Sequence, residues 1–309
     1  EIRKVFDRQR DTANRLRTST CAERLVKITR LRDAVLAHRQ AIRDAAYQDF
    51  RKPPAEVDLT EVLPIVMEAN DARRHLKKWM KPKGVWPTQM MFGTKGYLQY
   101  EPKGRTLIIS PWNYPVNLTF GPLVSAIAAG NTAILKPSEM TPHLSALMVK
   151  IVREVFSEDE VAIFEGESEV STLLLSLPFD HIFFTGSPAI GKVVMAAAAR
   201  HLTSVTLELG GKSPVIVSSG ADINSVAESL ITGKAMNSGQ LCVSPDYCFV
   251  PQSKLEAFIK RCKDVIAEQY PTAKKWFDLV RSQNPKHVVD KGLHDHEAMQ
   301  KDKRPVMVT

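Results

Sequence analysis

One cysteine stands among glycine, serine and proline in NSGQLCVSPDY, residues 237–247. A thiolate attacks electrophilic carbon directly, and its pKa falls where backbone N–H groups or positive charge surround it. Cys242 follows a helical pattern, and Gly239 and Pro245 frame its loop as a rigid turn. It is a candidate nucleophile on those grounds, although a small buried hydrophobe would give the same local pattern. Cys21, Cys248 and Cys262 lack the framing; Cys248 falls in an apolar strand and Cys262 on a helix, where structural roles are expected. The four cysteines are irregularly spaced, with no paired His or Cys beside them. Neither a zinc site nor a disulfide scaffold is expected, so the setting is a reducing, cytoplasmic one without a metal.

Four further stretches carry groups that could act with a thiol. In LELGGKSP, Glu208 ends an apolar run ahead of two glycines. A carboxylate partly buried there would have a raised pKa, which suits a general base; a strand-end glutamate in water is the plain alternative. In SPWNYP, residues 110–115, two prolines hold Trp112, Asn113 and Tyr114 between them. The Asn113 amide could donate to a developing oxyanion or bond its own backbone as a turn residue. In GNTAILKPSE, Lys136 and Glu139 flank Pro137 at a strand end. The ammonium could meet a ribose hydroxyl or a phosphate and the carboxylate a ribose diol, or both could be exposed loop charges. In FTGSPAIGK, Gly186 and Ser187 end a strand and Ala189 opens a helix. Backbone N–H groups at such a helix start bind phosphate, yet this is not G-x-G-x-x-G, and a tight turn would look the same.

The elements that must position these groups alternate. TLIIS, TAILK, VAIF, HIFFTG and SVTLELGG read as short buried strands, and NLTFGPLVSAIAAG, PHLSALMVKIVREVF, SEVSTLLLSL and AIGKVVMAAAARHL as the helices between them. This predicts an α/β fold, a parallel Rossmann-like sheet with helices on both faces, whose ligands sit beyond the carboxyl ends of the strands. The candidate residues fall at those ends. Before the sheet, residues 12–48 read as one amphipathic helix and Val57 to Met80 as a second, followed by a turn-rich stretch with β-like pieces such as YLQY. After it, SPVIVSS and YCFVP read as strands, and INSVAESLITGKAMN and KLEAFIKRCKDVIAEQY as helices. Beyond Pro271 the pattern decays into polar, weakly periodic sequence.

Composition narrows the partners. The chain has 309 residues, enough for two domains, and carries +8. Its Arg and Lys interleave with Asp and Glu through the first eighty residues, which marks solvated helix faces rather than a nucleic-acid surface. No run approaches a membrane span, and no signal peptide opens the chain. The first residue is Glu, so the true N-terminus is expected elsewhere.

Each motif alone is weak; their order and spacing are not. SPWNYP, GNTAILKPSE, FTGSPAIGK, LELGGKSP and NSGQLCVSPDY, with Glu208 and Cys242 34 residues apart, resemble the aldehyde dehydrogenase superfamily over about residues 20 to 270. LPFDHIFFTGSP and CVSPDY are similar to the branch of fatty, aromatic and coniferyl aldehyde dehydrogenases. The resemblance implies that Cys242 attacks the aldehyde carbon, that Asn113 and the Cys242 N–H hold the oxyanion, and that Glu208 activates the water that releases the acid. It implies NAD as cofactor, with NADP tolerated. The cofactor would be held by Ser110, Pro111, Trp112, Lys136, Ser138, Glu139, Gly186, Ser187, Ile190, Leu209 and Gly210. Lys136 and Glu139 would take the adenosine ribose and Ser187 the pyrophosphate. Glu139 would repel a 2′-phosphate and favour NAD.

The expected organisation is residues 1–208 as N-terminal helices and a dinucleotide-binding domain, with a small oligomerisation segment near 84–103, and 209–309 as a catalytic domain. That second domain is read as truncated. The family's Glu-x-Phe-Gly-Pro segment and its C-terminal, subunit-joining strand have no counterpart in the sequence. The partner is then a small aldehyde, medium-chain or aromatic, and the full-length assembly a homodimer or homotetramer. The alternative is a non-catalytic remnant that binds nucleotide or a partner subunit. Ester or thioester hydrolysis by Cys242 without cofactor is a third reading.

Overall fold

The computed structural model describes residues 1–269 and 306–308. The chain divides into two compact units, Glu1–Leu209 and Gly210–Thr309.

The first unit opens with α1 (Ile2–Leu16), α2 (Cys21–Ala37) and α3 (Arg39–Phe50), where the sequence pattern predicts one helix across 12–48. The break at Thr20 has a local cause. Its hydroxyl accepts from the Glu23 N–H at 3.3 Å and its own N–H donates to the Glu23 carboxylate at 2.6 Å, a capping box that starts a new helix. The next helical stretch runs through α4 (Pro54–Val57), a π-helical segment (Asp58–Val62) and α5 (Leu63–Trp79), close to the expected span. Two short antiparallel strands follow, β1 (Lys83–Val85) and β2 (Gly96–Leu98), with Lys83 opposite Leu98.

The strands β3 (Arg105–Ile109), β4 (Thr132–Lys136), β5 (Val161–Ile163), β6 (His181–Gly186) and β7 (Ser204–Leu209) then form one parallel sheet in the order β5-β4-β3-β6-β7. The connecting helices are α6 (Pro115–Ala129), α7 (Pro142–Val155), α8 (Ser168–Leu175) and α9 (Pro188–Ala199). Alternation along the strands decides which layer each residue enters. Ile108, Ala133, Leu135, Val161 and Ile163 pack into a core with α2, α3, α5, α6 and α7. Leu107, Ile109, Ile134, Ala162, Ile182 and Phe184 face the other way, toward α1, α8 and α9. Helices therefore cover both faces, as the continuous apolar strands require. α6 ends on Gly130 at φ 88°, where an added Cβ would also meet the Arg24 guanidinium at 2.6 Å.

Phe120 of α6 is fully buried in the first of these cores. Phe120→Ala is expected to cost about 3–5 kcal/mol, a large share of an ordinary domain's stability. Urea unfolding checks this; a loss below about 1 kcal/mol would mean that the site collapses around the void.

In the second unit β8 (Ser213–Ile216) and β9 (Pro245–Val250) pair in parallel across α10 (Ile223–Ala235), and β10 (Val306–Val308) pairs antiparallel with β9. β8, β9 and α10 with α11 (Leu255–Gln269) enclose Val217, Ala227, Cys248, Val250, Leu255 and Phe258. The polar sequence that begins beyond Pro271 lies, up to Pro305, outside the described residues.

Candidate active site

In the first unit the chain moves outward from β3 to β4 and β5, then returns to the other side of β3 for β6 and β7. That reversal is the switch point of a doubly wound sheet, and the crevice beyond the carboxyl ends of β3 and β6 is where such sheets hold ligands. Because every strand is parallel, the loops after β3, β4, β6 and β7 emerge at the same end. This gathers Ser110, Pro111, Trp112, Asn113, Lys136, Ser138, Glu139, Gly186, Ser187, Ile190, Glu208 and Leu209.

The loop after β3 is tied at its base. Ser110 is buried and its N–H donates to the Lys136 carbonyl at 3.1 Å, carrying the ladder one residue past the strand. Thr119 Oγ1 lies 2.7 Å from Ser110 Oγ and bonds the Pro115 carbonyl at 2.6 Å. Pro111, Trp112 and Asn113 are half-buried beyond that anchor, and Pro115 starts α6. After β4, the Lys136 stem is buried and its Nζ donates to Glu139 Oε2 at 2.7 Å. Glu139 is half exposed. Burial opposes its charge, but the Lys136 hydrogen bond and a backbone N–H outweigh burial and hold the carboxyl below its usual range. Ser138 is buried; its Oγ accepts from the Met140 N–H at 3.2 Å and its carbonyl from Ser145 Oγ at 2.9 Å.

At the end of β6, Ser187 caps α9: its Oγ accepts from the Ile190 N–H at 3.3 Å. The helix starts at Pro188, one residue before the expected Ala189. Ser187 and Ile190 are exposed, so this helix start faces outward with an apolar residue beside it. Leu209 packs over Gly191, where an added Cβ would lie 2.9 Å from Leu209 Cδ2. Glycine therefore lets α9 lie close on β7.

Glu208 departs from expectation. It is exposed rather than partly buried. β7 is the edge strand of the sheet, so no further strand of this unit flanks it.

Gly210 and Cys242 belong to the second unit. There the chain leaves α10 through Asn237, Ser238 and Gly239, at φ 49°, 56° and 77°. Three consecutive left-handed residues reverse the chain. Only glycine adopts this region freely, and a residue such as Ser238 is held there at about 1–2 kcal/mol. Crossed hydrogen bonds hold it: Asn237 Nδ2 donates to the Gln240 carbonyl at 3.3 Å and Gln240 Nε2 to the Asn237 carbonyl at 2.9 Å. The Ser244 N–H bonds the Leu241 carbonyl at 3.0 Å, closing a turn around Cys242. Cys242 is exposed on that turn, so it is not a core filler. Cys248 is buried and Cys262 half-buried. Burial pushes both thiols up, Cys262 to about 11, which leaves them protonated and unreactive.

The structure also contains a charged pair absent from the sequence-based expectations. Glu61, in the π-helical segment, is fully buried, and its Oε1 accepts from Lys52 Nζ at 3.3 Å. Burial pushes Glu61 up to about 7, against Lys52 and the N–H groups of Asn117 and Val116. The folded protein thus holds a proton that the unfolded chain releases near the ordinary carboxyl value of 4.5. This group's contribution to stability is fully present below 4.5 and is lost as pH rises through about 7. Glu61→Gln is expected to flatten that part of a plot of Tm against pH; an unchanged slope would mean that another group carries it. The signal was present in EVDLTEVLPI, a glutamate on an apolar helical stripe with Val57 and Ile65.

Among the described residues no group of three or more His, Cys, Asp or Glu could hold a metal ion, and no helix is long and apolar enough to cross a membrane.

Comparison with known proteins follows the same outline. A model of the aldehyde dehydrogenase family matches residues 1–275. AldX of Bacillus subtilis (strain 168) is 44% identical over 296 residues, 94% of this chain and 66% of AldX. The coniferyl aldehyde dehydrogenase of Pseudomonas sp. is 42% identical over 253 residues, 81% of this chain and 52% of that enzyme. The substrate-bound structure of AldH from Staphylococcus aureus superposes with a TM-score of 0.84 at 39% identity, covering 87% of this chain and 59% of that one. The chain thus spans roughly half to two thirds of the length of the relatives it matches.

Proposed function

The chain belongs to the aldehyde dehydrogenase family, and on that premise we propose that it oxidises an aldehyde to a carboxylic acid with NAD(P), through a covalent intermediate on Cys242. The observation that carries this reading is the thiol itself, exposed on a tied turn while Cys248 and Cys262 are withdrawn. The medium-chain or aromatic class of aldehyde is favoured by the likeness to the Pseudomonas coniferyl aldehyde dehydrogenase.

The residues at the sheet end fit a dinucleotide. A helix start capped by Ser187 suits a pyrophosphate, and the exposed Ile190 offers an apolar face to a base. The Lys136–Glu139 pair places a donor and an acceptor within reach of a ribose diol. Ser110, Pro111, Trp112, Ser138, Gly186, Leu209 and Gly210 would complete the cradle. The ionised Glu139 would repel a 2′-phosphate, so NAD is the preferred form. We assign the cofactor to the residues of the unit ending at Leu209, with Gly210 as the first residue beyond it, and the nucleophile to the unit that follows.

In the first step the Cys242 thiolate adds to the aldehyde carbon, forming a C–S bond and moving the carbonyl electrons onto oxygen. The Asn113 amide and the Cys242 N–H would donate to that oxyanion. NAD(P), when bound, supplies the acceptor for the hydride that this carbon loses on becoming a thioester. Glu208 would then take a proton from water, whose oxygen attacks the thioester carbon; the C–S bond breaks and the acid leaves. Exposure of Glu208 leaves it open to water. The exposed strands β1 and β2, with Trp86 and Phe92 in the open between them, suit an oligomer contact, a homodimer or homotetramer. The free thiols suit a reducing, cytoplasmic setting.

The test is a mixture of the folded protein, NAD and a series of aldehydes, read by absorbance of the reduced cofactor alongside calorimetric binding of NAD. Turnover supports the proposal. Binding without turnover would make the chain a nucleotide-binding remnant and overturn it.

A further inference from the structure

The buried Lys52–Glu61 pair lies under the loop that carries Asn113. Glu61 Oε2 accepts from the N–H groups of Val116 at 3.1 Å and Asn117 at 2.9 Å. Both belong to the first turn of α6, whose N–H groups have no partner within the helix and favour a negative charge. The other oxygen, Oε1, takes Lys52 Nζ, and that ammonium also lies 4.2 Å from the centre of the Tyr114 ring. One pair thus grips the chain on both sides of Pro115: Tyr114 before it, Val116 and Asn117 after it. Asn113 is the next residue back. Glu61 reaches this position from a π-helical turn, a winding that is rare and often lies beside functional sites.

Stability does not account for the pair. Two charges withdrawn from water cost more than an apolar pair of the same size, so a buried ion pair is weak evidence of a stabilising role. What it supplies is direction, since two backbone N–H groups and one ring are fixed to a single carboxylate.

We propose that Glu61, held by Lys52, is a positioning residue that sets the Asn113 amide by fixing the first turn of α6. The proposal rests on the reading of Asn113 as the oxyanion donor. Among the described residues Lys52 is the charged side chain that faces Glu61. On the same segment Asp58 is paired to Arg39 and Arg43 of α3. On α4, Glu56 is half-buried and its carbonyl accepts from Thr60. On α5, Glu68 accepts from Ser125. α6 itself carries no charged residue.

The experiment labels asparagine with 15N in the full chain and follows the Asn113 side-chain amide signal, assigned by its loss in Asn113→Ala, across pH. In the wild type the signal is expected to move with a midpoint about 7, where Glu61 titrates. In Glu61→Gln it is expected to stay flat while the Asn131 signal is unchanged. Should Glu61→Gln fail to fold, Lys52→Met serves: removing the ammonium is expected to move the midpoint upward. A titration unaltered in these variants overturns the proposal. In turnover, Glu61→Gln is expected to lower kcat about ten- to a hundredfold with the KM for aldehyde unchanged, and Glu61→Asp to restore part of it. An unchanged kcat, or a loss confined to KM, also overturns it. If the wild type oxidises no aldehyde, the functional reading fails, and the Asn113 signal still decides whether Glu61 sets that amide.

Discussion

Cys242→Ala is expected to abolish aldehyde oxidation, with a fall in kcat of at least about a thousandfold, as when an enzyme loses its covalent nucleophile. NAD binding and Tm are expected to hold. The side chain is exposed, so removing its sulfur leaves no cavity. The turn is held by Asn237, Gln240 and the Ser244–Leu241 bond, none of which uses the thiol. Cys248→Ala is the contrasting control. It empties a buried position in the core of the second unit and should lower Tm while leaving the chemistry of the remaining folded protein intact. Activity surviving in Cys242→Ala would move the nucleophile elsewhere. Two of the other three cysteines are poor candidates, since burial raises the thiols of Cys248 and Cys262; that outcome would point to Cys21.

Glu208→Gln is expected to separate the two halves of the reaction. The first half needs the thiolate and the oxyanion donors, so one equivalent of reduced cofactor should appear in a rapid burst. The second half needs a base for water, and its loss should slow steady turnover about a hundred- to ten-thousandfold. Exposure sharpens this expectation. Glu208 stands on an edge strand and packs into neither core, so the amide variant should fold as the wild type does. A variant that loses burst and steady rate equally would place Glu208 before the thioester, as the base that activates Cys242. A variant with an unchanged steady rate would remove it from the reaction.

The parallel sheet was legible because each strand is a short apolar run and each crossover carries helical periodicity. Gly130 and Pro142 punctuate the chain where the structure does. The first helices were less legible. Their apolar stripe continues in phase across Thr20, and periodicity alone passes over a capping box that THR-x-x-GLU spacing, Thr20 to Glu23, does record. The exposure of Glu208 depends on strand order: a strand reads the same in the middle of a sheet as at its edge. The left-handed conformation of Asn237 and Ser238 is likewise hidden, because their sequence suits an ordinary helix end. Lys52 and Glu61 are nine residues apart across Pro53-Pro54, with no helical spacing to link them. Their meeting depends on the π-helical turn, which no periodic pattern announces. The stretches that carry the candidate residues were visible as strand ends and, for Cys242, as a helix end; how each side chain is held there was not.

In the proposed reaction the acyl group passes through Cys242. Glu208→Gln, mixed with NAD and an aldehyde, quenched in acid and digested, gives peptides whose masses report it directly. The acyl mass is expected on the peptide containing Cys242, dependent on NAD and absent from those of Cys21, Cys248 and Cys262. Reduced cofactor formed without any acylated Cys242 would contradict it.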